Sequence, residues 1–138
     1  MTAPVVVAVG GHTIPGIAGR YLLNARTNHL VTDSRMGPAE AVTAGELLLA
    51  AIASCAMSNI QANAEADGIP VTDVSVTASH RRGEDDPTMY DFHRLDIAIH
   101  GVDQADANAL ASKFVASCPI YNTIRRGGGI ELVVTAVN

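Results

Sequence analysis

A chain of 138 residues, 48 % hydrophobic and 17 % charged, is long enough to bury a core without disulfide staples and too apolar to be disordered. A formal net charge of −5 and nine scattered Lys and Arg argue against a nucleic-acid partner, which needs a basic face. Two cysteines are too few for the disulfide framework of a small secreted protein, so they are expected to be catalytic, redox-active or simply buried in a reducing compartment.

The length suits one domain over residues 1–138. Val5 to Val9 is a short apolar run without the basic flank or cleavage site of a signal peptide. The apolar run at 47–57 falls short of the roughly 20 residues that span a bilayer. The expectation is a soluble, cytoplasmic protein with no membrane partner.

In chain order, Pro4 to Val9 reads as a strand of β-branched residues, followed by a loop marked by Gly10, Gly11, Pro15, Gly16 and Gly19. Arg20 to Asn24 and His29 to Asp33 read as two short strands around the Asn24–Asn28 turn, which makes a small antiparallel sheet. Gly37 and Pro38 break the chain. Thr43 followed by Glu46 is a capping box, in which the Thr hydroxyl accepts from the Glu46 amide and the carboxylate takes the Thr43 amide. It opens a helix expected to end near Gly68, with Pro70 just beyond. Leu47 to Met57 is apolar at every position except Ser54, and a helix that is apolar all round is buried all round. Its last turns carry Gln61, Asn63, Glu65 and Asp67 and are expected to reach solvent.

Val74, Val76 and Ala78 alternate with polar residues, as do Leu95, Ile97 and Ile99, which gives two strands joined by the charged loop from Arg81 to Thr88. Asp103 is a candidate N-cap. Leu110, Ala111, Phe114, Val115 and Cys118 fall at helical spacing, and Pro119 ends that helix at Cys118. A short helical turn over Ile120–Arg126 stops at the glycines 127–129, and Ile130 to Val137 reads as a last strand. This order implies an α+β fold with a mainly antiparallel sheet around a long buried helix.

Cys55 lies inside the apolar run, and free cysteine is among the most buried residue types, so packing and chemistry are both open for it. Cys118 lies on the apolar stripe of its own helix, and both readings apply there too. Pro119 can open a short helix, and Cys118 would then sit at its N-terminus, where the dipole favours a thiolate. The spacing excludes a CxxC motif, and scattered histidines make a zinc site a poor fit.

The stretches GELLLAAIASCAMS at 45–58 and ASCPIYNTI at 116–124 resemble the OsmC/Ohr family of thiol-dependent peroxidases, and RTNHLVTDSRMG at 26–37 is similar to the segment that precedes the helix in OsmC-like members. The resemblance runs from about residue 20 to the end. It implies that Cys55 is the peroxidatic cysteine, reducing an organic hydroperoxide to an alcohol through a sulfenic acid, and that Cys118 resolves it as a disulfide. It implies no metal and no flavin, but an external dithiol reductant, often a lipoylated protein in this family. It further implies an arginine of the N-terminal sheet beside the thiol, Arg26 or Arg20 with Arg26 favoured, held by a glutamate for which Glu46 is nearest. Two features depart from the Ohr branch: its glutamate position is Gly45 here, and its first-turn proline is Ala44. They point to a general OsmC-like member. His29 belongs to the matched segment, and Tyr121 and the apolar Leu49, Ile52 and Met57 are candidates for the surroundings of the thiols. The resemblance implies an intertwined homodimer, which would also cover a helix apolar on every side. A non-catalytic small-ligand-binding protein of the same fold and a redox sensor are the rival readings.

Overall fold

A computed structural model describes residues 3–134 as eight elements. They are strands β1 (Gly10–Thr13), β2 (Arg20–Ala25) and β3 (Asn28–Asp33), helix α1 (Ala44–Asp67), strands β4 (Asp73–Arg82) and β5 (Tyr90–His100), and helices α2 (Gln104–Ser117) and α3 (Pro119–Arg126). The fold is α+β with two antiparallel sheets, one in the order β1-β2-β3 and one formed by β4 and β5. The chain divides into two compact units, with the boundary inside α1 at Leu48/Leu49.

In the first unit Ala25 pairs with Asn28, so Arg26 and Thr27 form a two-residue hairpin turn, with Arg26 in the left-handed region at φ 57°. The segment after β3 is tied back to the sheet. Asp33 N–H donates to Val42 O at 3.0 Å and Ser34 N–H to Gly19 O at 2.8 Å. Gly19 and Gly37 cross at backbone contact: a Cβ on Gly19, itself at φ +79°, would lie 2.4 Å from Gly37 N.

The capping box forms as expected. Glu46 Oε1 accepts from Thr43 N at 2.9 Å, and Thr43 Oγ1 accepts from Glu46 N at 3.3 Å. α1 stops at Asp67 because Gly68 turns left-handed at φ +66° and Ile69 N–H returns to Ala64 O at 2.9 Å. In the second unit β4 and β5 run in register from Asp73↔His100 to Arg81↔Phe92, with an irregularity at Arg81/Arg82. Asp103 caps α2 by accepting from Asp106 N. The core joins Ala56, Ile60 and Ala64 of α1 to Leu110, Phe114 and Cys118, and Val74, Val76, Leu95, Ile97 and Ile99 of the hairpin pack on it.

Two expectations are corrected. Pro4 to Val9 is not a strand, and Val5, Val6 and Val7 are each at least 85 % exposed. The four residues paired with β2 are Gly10–Thr13 instead, and that pairing uses β2 from Tyr21 to Asn24. Ile130 to Val134 has no regular structure and is exposed, and the rest of that expected strand lies outside the described residues. Within one chain α1 is buried along one side. Its buried positions are Ile52, Ala56, Ile60 and Ala64, one ridge of i, i+4 spacing, whereas Ala50, Ala51, Ser54 and Ser58 are exposed. The hairpin and α2 cover that side, and the expectation of burial on the other side rests on a second copy.

By length and composition alone α1 would also pass for a membrane span. Its ridge packed in the core and its polar contacts with α2 identify a core helix instead.

Candidate active site

The two cysteines meet. The sulfurs of Cys55 and Cys118 are in disulfide contact, with a sequence separation of 63 and Cα atoms 6.8 Å apart, inside the span a disulfide can bridge. Cys55 lies midway along α1, one residue before the buried Ala56, and is partly accessible. Cys118 is fully buried. It forms the corner between α2 and α3: its N–H donates to Phe114 O as the last bond of α2, and Pro119 opens α3 at the first helical position. Cys118 is thereby the N-cap of α3, and its Sγ accepts from Tyr121 N at 3.4 Å. A backbone N–H and the positive end of a helix both face this sulfur, and both stabilise negative charge on it.

Beside the pair is a cavity of about 700 Å³. Leu49, Ile52, Ile97, Phe114 and Tyr121 line it, with Arg125 and Arg126 also on its wall. Neither sulfur lines it, but Phe114 and Tyr121, which meet edge to face at 5.3 Å, both pack in the cluster that holds the cysteines. Three residues put forward from the sequence, Leu49, Ile52 and Tyr121, line this cavity; Met57 lines a separate hollow along the exposed side of α1.

The other expected site residues lie in the first unit. Arg26 is exposed at the tip of the β2–β3 turn, and among the described residues no ion pair joins it to Glu46. The Glu46 carboxylate is occupied by Thr43: Oε1 takes both its amide and its hydroxyl, the latter at 3.0 Å. Those bonds, the backbone one first, hold Glu46 below the usual glutamate range. Arg20 is the anchored arginine. Its Nε donates to Asp33 Oδ1 at 2.8 Å, and its Nη2 donates to Asp33 Oδ2 at 3.1 Å and to Glu40 Oε2 at 3.3 Å. Asp33 is 2 % exposed and also accepts from the backbone N–H of Glu40 at 2.7 Å and of Ala41 at 2.9 Å. The Arg20 guanidinium, then these two amides, hold its carboxyl well below the usual range, against the opposing effect of burial, and Arg20 is raised in turn.

Asp33 and Glu40 were missed as partners of Arg20: the β2–β3 hairpin expected from the sequence already sets Arg20 opposite Asp33, a register that was not followed through, whereas Glu40 stands 20 residues away with no local pattern to join it. His29 packs locally, bonded to Asn24 Oδ1 at 2.6 Å across the strand pair. His80 and His93 face each other across β4 and β5, with Tyr90 stacked on His80 at 3.8 Å. Burial, then the neighbouring His80, holds the His93 imidazole below its usual value. No cluster of three or more His, Cys, Asp or Glu suited to a metal occurs among the described residues.

The arrangement sets two cysteines in disulfide contact next to a cavity lined by both apolar and charged side chains. The family model of OsmC-like proteins matches residues 37–133, which includes both cysteines. No curated protein matches the chain. Among solved structures, it is similar to an organic hydroperoxide resistance protein OsmC from Legionella pneumophila at 26 % identity, with a TM-score of 0.61 over 91 % of this chain and 93 % of that one. An OsmC-like protein from Mycoplasma pneumoniae matches at 16 % identity and a TM-score of 0.76, over 91 % of each chain. The organic hydroperoxide resistance protein OhrB of Bacillus subtilis matches at 14 % identity and a TM-score of 0.61, over 89 % of this chain and 93 % of that one. These last two share the fold.

Proposed function

The chain belongs to the OsmC-like protein family, and from that premise we propose that it is a cysteine-based peroxidase that reduces organic hydroperoxides to alcohols. Family membership and the hydroperoxide-resistance neighbours support a redox role in peroxide stress. The observation that carries the finer reading is the meeting of Cys55 and Cys118 beside a cavity whose wall combines apolar side chains with Asp91, His93, Arg94, Arg125 and Arg126. The family match crosses both compact units, which supports treating the chain as one OsmC-like domain.

The Cys55 thiolate attacks one oxygen of the hydroperoxide. The O–O bond breaks, the alkoxide leaves and takes a proton as the alcohol, and Cys55 becomes a sulfenic acid. Cys118 then attacks the Cys55 sulfur, water leaves, and the disulfide forms. An external dithiol, for which a lipoylated protein is the family precedent, restores both thiols by two exchanges. Accessibility sets the order of those exchanges. The reductant meets Cys55, because Cys118 is buried. Cys118 leaves as the thiolate that Tyr121 N–H and the α3 N-terminus stabilise, and a stabilised thiolate is the faster leaving group. No cofactor is needed, and a reducing cytoplasm suits this cycle.

The attacking thiol needs a nearby cation. Of the two N-terminal arginines, Arg20 is fixed by carboxylates and Arg26 stands in an exposed turn, so Arg20 is the assignment carried forward. Glu46 retains its capping role, with Asp33 and Glu40 holding the arginine. The protein is proposed to act as a homodimer.

Steady-state consumption of cumene hydroperoxide with dihydrolipoamide tests the function. Cys55→Ser should fall to background, and Arg20→Ala should lose about 100-fold in kcat/KM. Equal turnover by wild type and Cys55→Ser would overturn the peroxidase reading. Loss in Arg26→Ala but not in Arg20→Ala would return the activating role to Arg26. A wild type that consumes no peroxide yet binds an apolar ligand in the cavity would establish the binding-protein reading, which the absence of either sulfur from the cavity wall favours.

A further inference from the structure

α1 carries a second ridge that composition hides. Cys55, Asn59, Asn63 and Asp67 recur at four-residue spacing, and each residue along it except Asn63 touches the end of α2 or the corner beyond it. Cys55 meets Cys118. One turn on, Asn59 Nδ2 donates to Ser117 Oγ at 3.0 Å. Two turns further, Asp67 forms an ion pair with Lys113.

The bonds around Asn59 and Ser117 run one way. Asn63 Nδ2 donates to Asn59 Oδ1 at 2.8 Å and to Asn59 O at 2.9 Å, which turns the Asn59 amide so that its own donor faces α2. The Ser117 hydroxyl proton goes to Lys113 O at 2.7 Å, which leaves an oxygen lone pair for Asn59. Neither partner can be reversed without losing two bonds. Ser117 is the residue before Cys118, and Asn59 is four residues after Cys55, so this bond spans the two helices within one turn of the sulfurs.

We propose that Asn59 and Ser117 are positioning residues for disulfide closure, holding the end of α2 against α1 so that Cys118 stays within reach of Cys55 while the disulfide is open. This rests on the two-cysteine cycle above. In that cycle the step they serve is Cys55–S–OH + HS–Cys118 → Cys55–S–S–Cys118 + H₂O, in which the thiol sulfur is oxidised, the sulfenyl sulfur is reduced, and the hydroxyl leaves with the thiol proton. The rate of such a step depends on how often the second thiol is in place. Without the latch, Lys113–Asp67 remains; it is exposed, as the Asn59–Ser117 bond is, but it lies two turns farther from the sulfurs, and an exposed ion pair holds little.

The test is the equilibrium of the purified protein with reduced and oxidised glutathione, which reads the effective concentration of Cys118 at Cys55 without any peroxide. Asn59→Ala and Ser117→Ala should each lower it roughly three- to tenfold, the range of one hydrogen bond. The double variant should fall little further than either single one, because the bond that joins the two helices is lost in all three and the other bonds lost lie within one helix. Ser117→Thr, which keeps the hydroxyl, should restore it. After a pulse of cumene hydroperoxide, the sulfenic acid trapped by dimedone should persist longer in the alanine variants by the same factor.

Wild-type effective concentrations in both single variants, or equal losses in Ser117→Ala and Ser117→Thr, would overturn the assignment. If Asn59→Ala does not fold, Ser117→Ala and Ser117→Thr decide it alone. A wild type that forms no sulfenic acid but shows the glutathione shifts would sink the peroxidase reading and leave the positioning role standing.

Discussion

Asp33 is the residue on which the first unit turns. It accepts two bonds from Arg20 and one each from the amides of Glu40 and Ala41, so it ties β2 to β3 and anchors the segment that leads into α1. Its folded acidity is held below that of an unfolded aspartate, about 4. The stabilisation is therefore fully present above pH 4 and is lost as pH falls from there toward the folded value, since the unfolded chain takes up the proton first. Asp33→Asn should be less stable than wild type at pH 7, and the gap between their urea midpoints should narrow below pH 4. A gap that stays constant from pH 7 to pH 3 would mean that charge is not what Asp33 contributes. Little of this could be read from the sequence. Asp33 falls in the segment that resembles the family; the hairpin register sets Arg20 opposite it, but the return of the Glu40 and Ala41 amides to its carboxylate follows from the path of the loop after β3, which carries no local signal. Arg26 was favoured for its place at the head of that segment, and a two-residue turn instead puts it at the tip of a hairpin.

At the scale of elements, α1 is the most legible. Its capping box, its glycine stop and the opening of α3 at Pro119 are local signals, and local signals survive folding. What the sequence could not divide was its apolar surface. Ile, Ala and Cys look alike to a hydropathy pattern, yet Ile52, Ala56, Ile60 and Ala64 face the hairpin and α2 while Ala50 and Ala51 are exposed. Ile60 has no exposed surface and is among the largest fully buried side chains. Ile60→Ala should cost roughly 2–4 kcal/mol, for the lost burial plus the cavity left behind. It should show as a lower urea midpoint with an unchanged slope; a loss under about 0.5 kcal/mol would mean that this ridge is not the core. Gln61, Asn63, Glu65 and Asp67 were read as a helix end reaching solvent, and Gln61, Glu65 and Asp67 are exposed; what that reading did not contain is that Asn59 and Asp67 bond α2 and that Asn63 orients Asn59. Polar residues at four-residue spacing after a cysteine were visible; the helix they faced was not.

For the whole molecule, the surfaces left uncovered decide what to expect. Val5, Val6, Val7 and Val9 are 61–89 % exposed, and Ile130, Leu132, Val133 and Val134 are 81–92 % exposed. Both runs have the composition of strands and neither is paired, while β4 and β5 form a sheet of only two strands, a count marginal by itself in water. α1 adds a face of small residues, Ala50, Ala51, Ser54 and Ser58, exposed in one chain. Apolar runs exposed to this degree are rare on a monomer and mark association, and unpaired strand-forming runs favour pairing with a second copy. Light scattering should therefore give about twice the 14.3 kDa of the chain at micromolar concentration, and the melting temperature should rise with concentration, as it does when folding and association are coupled. Ala51→Arg, placed on the exposed face of α1, should shift the protein toward monomer and lower that temperature. A folded wild-type monomer whose melting temperature does not depend on concentration would refute the dimer, and the two apolar runs would then need another partner.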